Sequence, residues 1–359
     1  MNNNFLYLII FILFSATFQA EAQSNFRKYS NEFLKIGVGG KYLGMGGALA
    51  TGENDASAVF YNPAAIANTE HTTAAVMHTS YFAGIANFDY AGVIMPLKNE
   101  QTVGLSLIRF GIDNIPNTIE LYNPDNTINY DNIKSFSVAD YALFFTYAKK
   151  MNQINGLQIG GNAKIIHRSY GSFATAWGFG LDASAQITKE NYRIGLFLQD
   201  ITTSFNAWRF NFTEKEKQVF ASTNNDIPST SIELTAPSIH FGGAYKFLLN
   251  QGNISIEPNI KFTAYSDQRN VLISTKAASI DMAFGAEIGF WKTAFLRTGI
   301  YNFTKATNDL GESYISFMPS LGVGLNIQNL QINYSYNNVA NAGVGLYSHV
   351  VSASYTFKK

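Results

Sequence analysis

The feature that most constrains this chain is a two-residue alternation of apolar and polar side chains, renewed in many segments of about ten residues. In 174–187, Trp177, Phe179, Leu181, Ala183, Ala185 and Ile187 share one face, against Gly178, Gly180, Asp182, Ser184 and Gln186. In 279–290, Ile280, Met282, Phe284, Ala286, Ile288 and Phe290 oppose Ser279, Asp281, Gly285 and Glu287. Segments 254–264 and 330–337 behave alike. A helical period would scramble these sets, so the chain is read as all-β. Strands are expected at 72–81, 85–96, 101–110, 138–149, 156–167, 174–187, 191–201, 238–248, 253–264, 279–290, 293–303, 315–326, 329–337 and 347–357. The count is fourteen, an even number, as single-chain bacterial barrels require.

Composition narrows the class. Charged residues are 14% of the chain, against about 25% in typical soluble domains. Aromatics are also 14%. Beyond the N-terminus no apolar run is long enough for a membrane helix, which needs about 20 residues. Low charge, many aromatics and no helical span suit a transmembrane antiparallel β-barrel, with a soluble all-β fold as the other option.

Connection lengths favour the barrel. Short links fall near 97–100, 150–155, 188–190, 249–252, 291–292 and 327–328; long ones near 111–137, 202–237, 265–278, 304–314 and 338–346. They alternate almost throughout, as periplasmic turns and outer loops do. The first hairpin departs, with only 82–84 on the outer side. Pro258 and Pro319 fall inside expected strands and each removes a ladder donor, which reads as a bulge, a misplaced boundary or a lateral opening.

Residues 5–18, FLYLIIFILFSATF, precede Ala20-Glu21-Ala22. This is a signal-peptide h-region with a small-residue cleavage site, so 1–22 is read as a signal peptide, 23–70 as an N-terminal hatch or plug segment and 71–359 as the barrel. An uncleaved anchor is the competing reading, since MNNN carries no basic side chain. Loss of Glu21 leaves 25 basic and 24 acidic residues, a net charge of +1, and nothing points to nucleic acid. The chain has no cysteine, which excludes disulfides, thiolate metal sites and a cysteine nucleophile.

The stretch 37–47 reads GVGGKYLGMGG. Gly39 and Gly44 have P-loop separation, but Met45 and Gly46 stand where Lys and Ser/Thr are needed. Tyr42 occupies the third glycine position of a dinucleotide fingerprint, and no apolar strand precedes it. The glycines are therefore expected to bring backbone close to the inner wall of the barrel. Asp55 is the expected cap of a short helical turn, and Asn62 before Pro63 and Ala64 marks another helix start.

The run FLKIGVGGKYLGMGGALATGENDASAVFYNPAAIA (33–67) resembles the N-terminus of the PorV/PorQ family, related to the FadL-type hydrophobic transporters. The resemblance is carried by Gly37, Gly39, Leu43, Gly44, Met45, Gly46, Gly47 and Ala48, then Asn62, Pro63 and Ala64, where Ala65-Ile66 replace the common Gly-Leu. It implies a hatch inside an outer-membrane barrel of a Bacteroidetes-type Gram-negative bacterium. It also implies a role in type IX secretion, with translocon proteins or cargo C-terminal domains as partners. The alternative it implies is a FadL-like carrier of hydrophobic small molecules such as fatty acids, with outer-membrane lipid around it.

Candidate lumen charges are Asp140, Asp182, Arg193, Lys246, Glu257, Lys261, Asp281 and Glu287, read as internal pairs that hold the hatch or as gating groups. The candidate partner-binding loop is 202–237, where Trp208, Arg209, Phe210 and Phe212 are hot-spot residue types and equally fit an interfacial anchor. No GxSxG elbow and no HExxH spacing occurs among His71, His78, His167, His240 and His349. No enzyme activity and no cofactor are expected.

Overall fold

The computed structural model describes residues 30–358, except Asn54, Pro124, Asn126, Thr230, Asp309 and 339–346. The expected signal peptide and the first residues of the expected hatch lie outside this range.

The wall is one closed antiparallel sheet of fourteen strands. They are β1 (Thr73–Tyr81), β2 (Ala86–Pro96), β3 (Gln101–Asn117), β4 (Lys134–Lys150), β5 (Leu157–Tyr170) and β6 (Ala174–Thr188). Two interrupted strands follow: β7 (Tyr192–Gln199 and Ser204–Phe210) and β8 (Ser231–Thr235, Ser238–Tyr245 and Phe247–Leu249). Then come β9 (Ile254–Tyr265), β10 (Ser279–Phe290), β11 (Ala294–Thr307), β12 (Ser313–Ile327), β13 (Leu330–Asn338) and β14 (Tyr347–Thr356). Each pairs with its sequence neighbour, and β14 closes on β1 from Thr73↔Thr356 to Ser80↔His349. Closure leaves no edge, so the wall satisfies its own backbone donors and acceptors without water. Among the described residues no helix is long and apolar enough to cross a membrane.

The alternation explains the two faces. On β12, Phe317, Leu321, Val323 and Leu325 point outward and are 45–60% exposed, while Ser316 and Ser320 are buried inside. On β4, Phe145 and Tyr147 face out, and Ala142, Phe144, Thr146 and Ala148 face in. An apolar exterior over a polar and small-residue interior is what hydrocarbon outside and packed protein inside require.

All fourteen expected strands are present, with corrected outer ends. The predicted loop 111–137 is shorter than expected, since β3 runs to Asn117 and β4 starts at Lys134, past a register shift between Ile112 and Ile115. The predicted loop 202–237 carries the second part of β7, the first part of β8 and a helix, Glu214–Ser222, with a Thr213/Glu216 capping box. Strands that rise beyond the apolar belt have water on both sides, so the period-2 hydrophobic signal fades there. Pro258 and Pro319 keep their register opposite Ala286 and Ile300; a register shift lies close by, between Tyr301 and Thr304.

Candidate functional site: the lumen and its N-terminal segment

The segment from Ser30 to Asn68 runs inside the ring of strands. Phe33, Leu34, Val38, Tyr42, Met45, Leu49, Val59 and Ile66 are buried there, with Phe88, Tyr90, Ile108 and Phe144 of the wall in the same core. Its backbone is tied to strands on opposite sides. The Gly40 amide donates to Ser352 Oγ (2.9 Å), the Gly52 amide to Gln186 Oε1 (2.9 Å) and the Ala64 amide to Ser184 Oγ (2.8 Å). Asn162 Nδ2 donates to the Val59 carbonyl (3.1 Å), and the Tyr90 hydroxyl to the Ala56 carbonyl (2.7 Å). Each inward polar side chain thus meets a peptide group that coil structure would otherwise leave unpaired.

The glycines mediate these contacts. A Cβ on Gly44 would stand 3.0 Å from the Cα of Gly322 on β12. One on Gly285 of β10 would stand 2.5 Å from the Met45 carbonyl oxygen. Gly46 and Gly47 turn the chain at φ 64° and 62°. Gly37 and Gly39 have φ 95° and 83°, in a bend where the Tyr61 hydroxyl bonds both the amide and the carbonyl of Val38. No phosphate-cradling turn is needed to explain the run.

At the Asn62-Pro63-Ala64 box, Asn62 is fully buried and caps the 3-10 turn Pro63–Asn68 by accepting from the Ala64 amide (3.1 Å). Its Nδ2 donates to the Ala50 carbonyl (2.8 Å), closing the segment on itself. Asp55 opens the turn that leads into the helix Ala58–Tyr61: its Oδ1 accepts from the Ser57 amide (3.2 Å) and its carbonyl from the Ala58 amide (2.9 Å), while Ser57 stands at the cap position with no side-chain cap bond. Burial raises the Asp55 carboxyl above its usual range.

The lumen charges are mostly paired. Arg193 bridges Glu53 of the segment (3.2 Å) and Glu257 of β9 (2.5 Å), and Glu53 also meets Lys41. The Lys41 ammonium holds the Glu53 carboxyl well below the usual carboxylate range. Lys246 reaches Glu257 at 3.9 Å. Asp140 takes Arg168 at 2.8 Å, and Glu287 takes Arg297 at 2.7 Å. Asp182 and Asp200 share the fully buried Lys164 (2.8 and 2.5 Å). Lys41, Glu53, Lys164, Arg168, Asp200 and Arg297 were not singled out from sequence. An inward charge between small residues gives a single-sequence reading no sign of its partner. Asp281 and Lys261 differ from the rest: neither makes an ion pair among the described residues.

The aromatic cluster proposed as an outer loop is instead wall. Trp208, Arg209 and Phe210 lie on β7, and Trp208 faces the lumen, 6% exposed, with its indole donating to Glu233 at 2.6 Å. Arg168 lies 5.1 Å over its ring. Only Phe212 lies beyond the strand, packed on Phe220 of the outer helix at 5.0 Å. The strand was hidden because its polarity is inverted: Trp208 points inward, while Arg209 points out.

Two cavities flank the segment and share no lining residue. The larger, about 520 Å³, lies on the long-loop side. Phe33, Phe60, Tyr81, Phe110, Phe197 and Tyr301 supply its apolar surface. Its polar side is built by β7–β10: His240 contacts Gln199 Oε1 and Thr263 Oγ1, each at 3.1 Å, with Lys261 and Asp281 beside them. The smaller, about 440 Å³, lies at the short-turn end and is polar, lined by Lys41, Glu53, Asp55, Arg193 and Lys358 among others. Among the described residues no group of His, Asp and Glu has metal-binding geometry.

No protein-family profile matches the chain, and no curated protein matches it. Solved structures do. The toluene transporter TodX of Pseudomonas putida superposes with TM-score 0.54 at 11% identity, over 90% of this chain and 99% of that one. The toluene transporter TbuX of Ralstonia pickettii gives 0.54 at 10% identity, over 90% and 99%. The monoaromatic hydrocarbon channel CymD gives 0.52 at 11%, over 90% and 98%. At such identities the likeness establishes a shared fold.

Proposed function

We propose that this protein is a non-enzymatic outer-membrane transporter of lipophilic small molecules, with residues 23–70 as the hatch of its barrel. The observation that carries this reading is the aromatic cavity between the N-terminal segment and the wall, with a second, polar cavity on the segment's far side. A mostly apolar pocket with a few convergent polar groups is the usual form of a small-molecule site. The fold likeness to three hydrocarbon transporters and channels points the same way. Lys261, beside Asp281, makes no ion pair among the described residues, and it adds a preference for a ligand with an acidic or hydrogen-bonding end. The signal peptide at 1–22 delivers the chain to the outer membrane of a Gram-negative cell.

The test is uptake of 1-N-phenylnaphthylamine, an aromatic amine that fluoresces in phospholipid and is held back by an intact outer leaflet. Cells making the protein should take it up several-fold faster than cells without it, and lipophiles should co-purify with the barrel. Equal uptake and an empty barrel would sink the reading.

The glycine run and Asn-Pro-Ala box support a second reading, a PorV/PorQ-like component of type IX secretion in a Bacteroidetes-type cell. Affinity purification from native membranes decides it. Translocon subunits or proteins sharing a C-terminal sorting domain would favour secretion; a solitary barrel would not.

A further inference from the structure

The polar wall of the large cavity contains groups that are already satisfied and groups that are not. Register sets the inward neighbours: Phe197, His240, Thr263 and Asp281 stand directly opposite one another across β7–β10. His240 has both ring nitrogens engaged. Its Nε2 meets Gln199 Oε1 and Ser238 Oγ, and its Nδ1 meets Thr263 Oγ1, each at 3.1 Å. An amide oxygen only accepts, so Nε2 carries the hydrogen and the Thr263 hydroxyl donates to Nδ1. Charges at the outer edge are paired as well. Glu32 takes Lys35 at 2.6 Å, and Arg269 takes Asp267 at 2.9 Å and Glu32 at 3.5 Å.

Lys261 and Asp281 remain. Both line the cavity, and neither makes an ion pair among the described residues. Lys261 lies opposite Ala283, and Asp281 opposite Thr263. The two are therefore diagonal neighbours on β9 and β10, about 7–8 Å apart along the sheet. Their side chains are drawn different ways. Asp281 Oδ1 accepts from the Met282 amide (2.8 Å). The Lys261 ammonium reaches toward the N-terminal segment, where a Cβ on Gly47 would stand 3.8 Å from Nζ. A cation and an anion thus face one cavity without closing on each other.

This arrangement sets what the cavity accepts. A charge held away from bulk water is costly unless it is paired. A hydrocarbon leaves both charges without a partner. A plain carboxylate satisfies Lys261 but brings a second anion toward Asp281. A plain amine satisfies Asp281 but brings a second cation toward Lys261. A lipophile that carries a carboxylate and an ammonium together supplies both partners through charge-assisted hydrogen bonds. Phe33, Phe60, Phe197 and Tyr301 then take its apolar body.

We propose that the large cavity selects zwitterionic lipophiles, with Lys261 binding the carboxylate and Asp281 the ammonium. This rests on the transport function proposed above and names the ligand class of the same site.

The test uses four ligands built on one benzene ring and one butyl chain: butylbenzene, 4-phenylbutanoate, 4-phenylbutylamine and 2-amino-4-phenylbutanoate. Each is titrated by calorimetry, near neutral pH, into the purified full chain, with the heat of mixing into empty detergent micelles subtracted. The zwitterion 2-amino-4-phenylbutanoate should bind at least about tenfold tighter than the plain acid or the plain amine, because it gains one more charge-assisted bond. In Asp281→Asn its advantage over the plain acid should vanish. In Lys261→Met its advantage over the plain amine should vanish. Equal affinity for the zwitterion and either singly charged ligand, or an advantage that survives either substitution, would overturn the selectivity. Blank titrations with all the ligands beside normal 1-N-phenylnaphthylamine uptake would overturn it too. Blank titrations together with absent uptake would instead overturn transport itself, so the two failures are distinguishable.

Discussion

Single side chains decide how tightly the lumen is filled and what it prefers. Gly44→Val would drive a branched side chain into Gly322, where even one added carbon is at 3.0 Å. Overpacking costs about 1–3 kcal/mol, and the backbone on both sides resists relaxation. The segment should loosen while the wall survives: limited proteolysis should cut within 30–68 faster, with the heat-modifiable band unchanged on a gel. Lys261 acts on the ligand instead of the fold. Its ammonium faces the large cavity beside Asp281 with no ion pair among the described residues, and a charge-assisted hydrogen bond contributes about 1.5–3 kcal/mol. Lys261→Met should weaken binding of a lipophilic carboxylate roughly tenfold or more, since 1.4 kcal/mol is about a factor of ten. Binding of a neutral aromatic hydrocarbon should change little. Equal loss of both ligands in a titration calorimeter would exclude the selective role.

At the scale of elements, the question is what holds the segment to the wall. Arg193 joins Glu53 of the segment to Glu257 of β9. Arg193→Ala removes the cation that joins the two carboxylates, leaving Glu53 with Lys41 and Glu257 with Lys246 at 3.9 Å, so the link from the segment to β9 is lost. Faster proteolysis of the segment and a measurable leak of small polar solutes are expected; an unchanged leak would place the latch elsewhere. The pH dependence follows from Glu53. Its pKa is held down in the folded protein, so its contribution is fully present above the ordinary carboxylate range of about 4.3 and is lost as pH falls below it. Protection of the segment from protease should therefore persist to mildly acid pH and fall away below about pH 4. Glu53→Gln should remove that acid step.

For the whole molecule, closure and filling are separate achievements. The wall is a ring of backbone pairings, each strand bonded to its sequence neighbour; its register is kept at Pro258 and Pro319 and shifts between Ile112 and Ile115 and between Tyr301 and Thr304. The inside is filled by one segment far from those strands in sequence, through contacts such as Gly40 with Ser352 and Ala64 with Ser184. Deleting 30–68 should therefore leave an assembled barrel with a wide, conducting lumen, read as a large rise in single-channel conductance in planar bilayers. A deleted form that neither assembles nor conducts would show that the segment is part of the folding core.

The sequence by itself determined the wall: strand number, the two faces and the side of the long connections all follow from a period-2 pattern imposed locally by hydrocarbon on one side. It also placed the Asn62 cap and the backbone-approach role of the glycines, because both are properties of a few consecutive residues. Only the tertiary structure decided which inward charges meet, why Lys261 stands apart and where Trp208 points. Those depend on register around the ring and on which wall residue faces which part of the segment. Such pairings cross from strand to strand or from segment to wall, 140 residues apart for Arg193 and Glu53, and leave no trace in the local alternation of a single chain.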